Sequence, residues 1–113
     1  MKKESEIKLN VSLDENKLPE SITWHATDSG MEQPAAVKAF FLSLWDGSNE
    51  STLRVDLWTK DMPLEDMKRF FYETLVTMAD TYQRATSDED NAALLKQFAK
   101  RYGEKEMLIK QKK

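Results

Sequence analysis

The sequence predicts an α+β fold: a four-stranded antiparallel meander sheet followed by two C-terminal helices packed on one face, in the order ββββαα. Three observations predict it. Apolar and polar residues alternate with period two through the first half of the chain, and two stripes of apolar residues at three-to-four-residue spacing occupy the second half. Between them, at Asp61-Met62-Pro63, one period gives way abruptly to the other. At 113 residues the chain has the size of one domain, 1–113, able to bury roughly two thirds of the surface its unfolded form exposes.

The first strand, about 5–13, sets Ile7, Leu9, Val11 and Leu13 against Lys8, Asn10 and Ser12, the mark of one dry face. Asp14-Glu15-Asn16-Lys17 reads as a turn. After Pro19 a second strand, about 20–26, sets Ile22, Trp24 and Ala26 against Thr23 and His25, and a loop with Asp28, Ser29 and Gly30 follows. The third strand, about 37–45, differs: Phe40, Leu42 and Leu44 lie on one parity and Val37, Ala39, Phe41 and Trp45 on the other. A strand apolar on both faces is normally central. Asp46-Gly47-Ser48-Asn49-Glu50 turns the chain into a fourth strand, about 52–59, where Leu53, Val55 and Leu57 restore a one-faced pattern.

The first helix, about 62–85, has Pro63 with a φ suited to a first turn, and acids Asp61, Glu65 and Asp66 at the positive end of the dipole. Its stripe is Leu64, Met67, Phe71, Leu75, Met78 and Tyr82. Ser87-Asp88-Glu89-Asp90 has the form of a capping box on Ser87 for a second helix, about 88–102, with the stripe Leu94, Leu95, Phe98 and Tyr102. Gly103 is a point of interruption, and 103–113 forms a tail.

Two helices cover one side of a sheet, yet the third strand is apolar on two, and Trp58 is out of phase with Leu57. Phe41, Trp45 and Trp58 would then share the uncovered side, with Arg54 and Asp56 on the same parity as Trp58. These five are the candidate protein-interface residues, aromatic anchors with a charged pair to set orientation. A β-bulge or coiling of the sheet that turns the aromatics inward is the competing arrangement.

Charge is nearly balanced, 17 basic residues against 20 acidic. Acids concentrate over 61–90 and bases over 96–113, which helix dipoles favour at helix starts and at the final helix end. The basic tail has few aromatics to stack bases and the whole chain is acidic, so nucleic acid is not an expected partner. Cysteine is absent, which excludes disulfides and thiolate-held metal. MKKESEIK has no apolar run behind it to act as a signal peptide, and no apolar stretch is long enough for membrane insertion. A cytoplasmic location is the expectation.

Catalytic and cofactor signals are sparse. His25 is the only histidine and belongs to a hairpin strand; no Gly-flanked nucleophile elbow accompanies the serines. Asp88-Glu89-Asp90 lacks the spacing of a calcium loop, and no Gly-rich loop follows a strand to cradle a phosphate. No enzyme activity, metal or cofactor is expected. Met62, Met67 and Met78 suit either a core or an adaptable peptide-binding face.

Several motifs carry a family resemblance. Ser5-Glu6-Ile7-Lys8, Leu13-Asp14-Glu15-Asn16, Ile22-x-Trp24, Leu42-x-Leu44-Trp45-Asp46 and, above all, Leu53-Arg54-Val55-Asp56-Leu57-Trp58-Thr59-Lys60-Asp61-Met62-Pro63 resemble the gliding-motility protein family GldC, over roughly residues 5–86. The resemblance implies a non-enzymatic accessory protein acting through protein–protein contacts, with a second copy of the chain among the possible partners. It supplies no catalytic residues to carry over. The element order also resembles the preprotein-export chaperone SecB, an analogy of fold that makes a chaperone or peptide-binding module the alternative. A small-molecule binder or enzyme built around His25 is the third reading.

Overall fold

The computed structural model describes residues 3–110. They form two compact units, one ending at Met62 and the other starting at Pro63. In chain order the elements are β1 (Ile7–Leu13), β2 (Pro19–Ala26), β3 (Ala35–Val37), β4 (Ala39–Asp46), β5 (Ser51–Trp58), α1 (Leu64–Thr86) and α2 (Glu89–Lys105). The α+β class with antiparallel strands and two helices is as predicted. The single four-stranded meander is not: the strands form a three-stranded sheet, β1-β2-β3, and a two-stranded sheet, β4-β5.

The correction originates in the strand predicted over 37–45. The chain bends at Lys38, and the segments on either side take different neighbours. Ala35, Ala36 and Val37 lie opposite Trp24, Thr23 and Ile22 of β2. From Ala39 to Asp46 the neighbour is β5, with Ala39 opposite Trp58 and Asp46 opposite Ser51. Of the apolar residues on both parities, only Val37 lies before the bend; Phe40, Leu42 and Leu44 on one side and Ala39, Phe41 and Trp45 on the other all belong to β4, which is apolar on both sides.

Both long hairpins close on aspartate. The Asp14 carboxylate accepts from the Asn16 amide (2.8 Å) and the Leu18 amide (3.0 Å), and Lys17 adopts φ 65°. The Asp46 carboxylate accepts from the Ser48 (2.9 Å) and Asn49 (3.3 Å) amides, and Glu50 adopts φ 49°. A short side chain that mimics the turn's own backbone explains aspartate at each position. Beyond β5 the Thr59 amide donates to the Lys38 carbonyl (2.8 Å) and the Lys60 amide to the Pro19 carbonyl (2.9 Å), tying the two sheets of this unit together at the bend. Ile22, 1% exposed, and Thr59 are its buried centre. The Thr59 hydroxyl is satisfied by donating to Asp61 (2.6 Å), which Lys38 also pairs (2.8 Å).

The second unit is a helical hairpin. Pro63 occupies the cap position with ψ 145° rather than a helical turn, and the Met67 amide donates to its carbonyl (3.0 Å). The predicted capping box is displaced by one residue. Ser87 takes the left-handed conformation (φ 60°) that ends α1, so Asp88 caps α2, accepting from the Asn91 amide (3.1 Å) and side chain (2.7 Å) and from the Tyr82 hydroxyl (3.1 Å).

Gly103 does not interrupt α2, which runs on to Lys105. The residue is a packing glycine: a Cβ there would stand 2.6 Å from Tyr72 Cε1. With Ala79, Ala92 and Ala99 it is buried, and these small residues form the seam of the hairpin. Asp80–Lys96 and Lys68–Glu106 ion pairs, both 3.1 Å, join the two helices and the turn beyond α2. The larger residues of the predicted stripes lie elsewhere: Leu64, Phe71, Met78, Leu94 and Phe98 are exposed. Helix α2 closes with Met107 at φ 60° and the Leu108 amide donating to the Gly103 carbonyl (2.8 Å). Of the predicted tail, 111–113 lie outside the described residues.

Candidate functional site

The β4–β5 register fixes what each side of this layer presents. Ala39 faces Trp58, Phe41 faces Asp56, Ser43 faces Arg54 and Trp45 faces Thr52. Because side chains alternate along a strand, all five candidate interface residues, Phe41, Trp45, Arg54, Asp56 and Trp58, emerge on one side of the layer. The Thr59 amide bond to the Lys38 carbonyl sets the hydrogen-bonding phase, placing these rows at the non-hydrogen-bonded positions where opposing side chains approach most closely.

Trp45 is 68% exposed and Trp58 52%, while Phe41 is half-buried. Between the indoles, Arg54 holds Asp56 in a two-point pair, Nε to Oδ2 at 3.0 Å and Nη2 to Oδ1 at 2.8 Å. Residues two apart on a strand share a face, so the pair forms without leaving β5. That hydrogen bonding draws the Asp56 carboxyl below its ordinary value of 3.8 and raises the Arg54 guanidinium. The result is a fixed, locally neutral polar bar flanked by aromatic surface.

Trp58 also borders a shallow groove of about 310 Å³ lined by Leu18, Pro19, Asp56, Leu57 and Lys60. Sequence reasoning omitted Leu18 and Pro19 from the site. The available signal was an apolar pair directly after a polar turn. Across the layer, the other side carries Phe40 opposite Leu57, Leu42 opposite Val55 and Leu44 opposite Leu53, of which Leu44, Leu53 and Val55 are exposed.

His25 stands apart from this face, half-buried on β2 with Nε2 3.2 Å from the Met31 carbonyl. Asp88, singled out for cation binding only to be set aside, is engaged as a helix cap. Among the described residues, no group of three or more His, Asp or Glu side chains is placed to hold a metal ion, and no helix is long and apolar enough to cross a membrane.

Fold and surface together define a small α+β protein whose distinctive feature is a two-stranded layer with apolar side chains on both sides. The chain belongs to the GldC-like family: the family model for gliding motility-associated protein GldC-like matches residues 19–108. That span contains β2 to β5, both helices and all five candidate residues. No curated protein and no solved structure gives a significant match to the chain.

Proposed function

We propose that the chain is a non-enzymatic, cytoplasmic accessory protein of gliding-motility-associated machinery, and that it acts by docking a protein partner on the aromatic side of β4–β5. The observation that carries this reading is the joint placement of two exposed indoles around the pre-formed Arg54–Asp56 pair. Trp and Arg are the residues most enriched among energetic anchors of interfaces, and a polar pair already ordered in the free protein loses little freedom on binding. The groove beside Trp58 offers a recess for an apolar side chain of the partner. Co-purification from the native host tests it: a protein recovered with the wild-type chain should be lost with Trp58→Ser or Trp45→Ser while both variants retain the wild-type circular dichroism spectrum. Equal recovery by all three chains would overturn the reading.

The exposed side chains Leu64, Phe71, Met78, Leu94 and Phe98 support a second reading, in which the helical hairpin holds unfolded, apolar segments as a chaperone does. Suppression of aggregation of an unfolded client by the full chain, lost on Phe98→Ser, would favour it. No suppression at molar excess would reject it.

A further inference from the structure

One side of the helical hairpin is apolar at its centre and charged toward its ends. Met78 immediately precedes buried Ala79 on α1, and Phe98 immediately precedes buried Ala99 on α2. In two antiparallel helices joined along those alanines, the preceding residues turn to the same side, and the Asp80–Lys96 pair (3.1 Å) sets them level with each other. Along α2, Asp90, Leu94, Phe98, Arg101 and Lys105 recur at three-to-four-residue spacing and form one stripe turned away from Ala92, Ala99 and Gly103. All five are exposed, Leu94 and Phe98 by 61% each, and so is Met78, by 56%. Asp90, Arg101 and Lys105 enter no ion pair among the described residues, so their charges are uncommitted.

We propose that this side is covered by the same side of a second copy of the chain, so that two hairpins make an antiparallel four-helix bundle. The two-fold axis runs across the helices at the level of Met78 and Phe98. Charge selects the occupant and the orientation. Phe98 lies midway between Asp90 and Lys105 in the stripe, so stacking α2 antiparallel on its copy, Phe98 against Phe98, also sets each Asp90 opposite Lys105 of the second copy. Each Leu94 then lies under the aliphatic stem of Arg101 of the second copy, and Met78 meets Met78 beside the two phenyl rings. The apolar centre and the charged ends are therefore satisfied in a single register. An axis running along the helices would instead gather Glu89 and Asp90 of both copies at one end and Arg101 and Lys105 of both at the other. Any other partner would have to present a base and an acid at the spacing that α2 itself already carries.

This inference shares exposed side chains with the chaperone reading but gives them a folded second copy as occupant. The full chain is tested by sedimentation velocity at tens of micromolar, where a dimer is expected. Asp90→Lys and Lys105→Asp each set like charges against one another at two symmetric points, so each should weaken self-association about tenfold. An equimolar mixture of the two variants restores both opposite-charge pairs in the mixed dimer and should recover most of the lost association. In the wild-type chain, carbodiimide should join the Asp90 carboxylate to the Lys105 amine. Mixing isotope-labelled with unlabelled chains identifies that link as one between copies, as expected for residues that stand about 22 Å apart along a single α2. A monomeric wild type, a mixture no more associated than either variant alone, or a dimer without the Asp90–Lys105 link would overturn the proposal; the link decides it even if a variant fails to fold. Suppression of client aggregation by a strictly monomeric chain, lost on Phe98→Ser, would overturn the dimer and leave the chaperone reading standing alone.

Discussion

Replacing Gly103 with alanine sets two effects of similar size against each other. Gly in a helix interior costs about 1 kcal/mol relative to Ala, so on propensity and unfolded-chain entropy the substitution should stabilise α2 by about that amount. Geometry opposes it. The new Cβ would stand 2.6 Å from Tyr72 Cε1, 2.9 Å from Tyr72 Cδ1 and 3.2 Å from Ile109 Cδ1. Carbon atoms prefer separations of about 3.5–4.0 Å, so the Tyr72 ring must withdraw by about 1 Å from a seam of buried small residues. Overpacking of this kind costs about 1–3 kcal/mol, which leaves a net destabilisation of about 1 kcal/mol. Urea denaturation followed by circular dichroism measures it, and a double-mutant cycle isolates the cause. In a Tyr72→Ala background the obstructing ring is gone, so Gly103→Ala should stabilise, reversing sign relative to the parent chain. A Gly103→Ala variant more stable than the parent would refute the close approach of Tyr72 to α2.

Other expectations concern the core, the turns and the cap. Ile22→Ala should cost about 3 kcal/mol in denaturant unfolding and Ile22→Val about 1 kcal/mol, because Ile22 is buried at the centre of the first unit. Asp14 is held below its ordinary 3.8 by the Leu18 amide and Lys60, Asp46 by the Asn49 and Ser48 amides, and Asp61 by Lys38 and Thr59. A carboxyl depressed on folding contributes fully above its unfolded value and loses that contribution as pH falls through the folded one. Melting temperature should therefore drop as pH is lowered below about 4, and the drop should be smaller in Asp14→Asn. Asp88→Ala should lower the helical melting temperature more than Asp88→Asn, since asparagine can still accept from the Asn91 amide.

The local periods that define β1, β2, β5 and the two helices were legible because each repeats over a long enough run to be unambiguous. The shared side of Phe41, Trp45, Arg54, Asp56 and Trp58 was legible too, since parity alone determines it once β4 and β5 are paired in register. The change of sheet was not. Lys38 is a single polar residue inside an apolar run, and nothing local distinguishes a doubly covered strand from one that bends and takes a new neighbour. The hairpin seam was missed for a related reason: apolar stripes weight Leu, Phe and Met, whereas close helix approach selects residues by smallness. Ala79 on α1 and Ala92, Ala99 and Gly103 on α2 carry almost no signal on a hydrophobicity scale, although the spacing of the last three is that of one helical face.

That seam separates internal cohesion from surface chemistry. The small buried residues Ala79, Ala92, Ala99 and Gly103 at the contact of α1 with α2 leave little latitude for change, while the bulky side chains of Leu64, Met78, Leu94 and Phe98 are exposed. Substitutions among those exposed residues should thus change the hairpin's surface with little loss of its stability. A scaffold divided in this way can change its surface character while its architecture stays put.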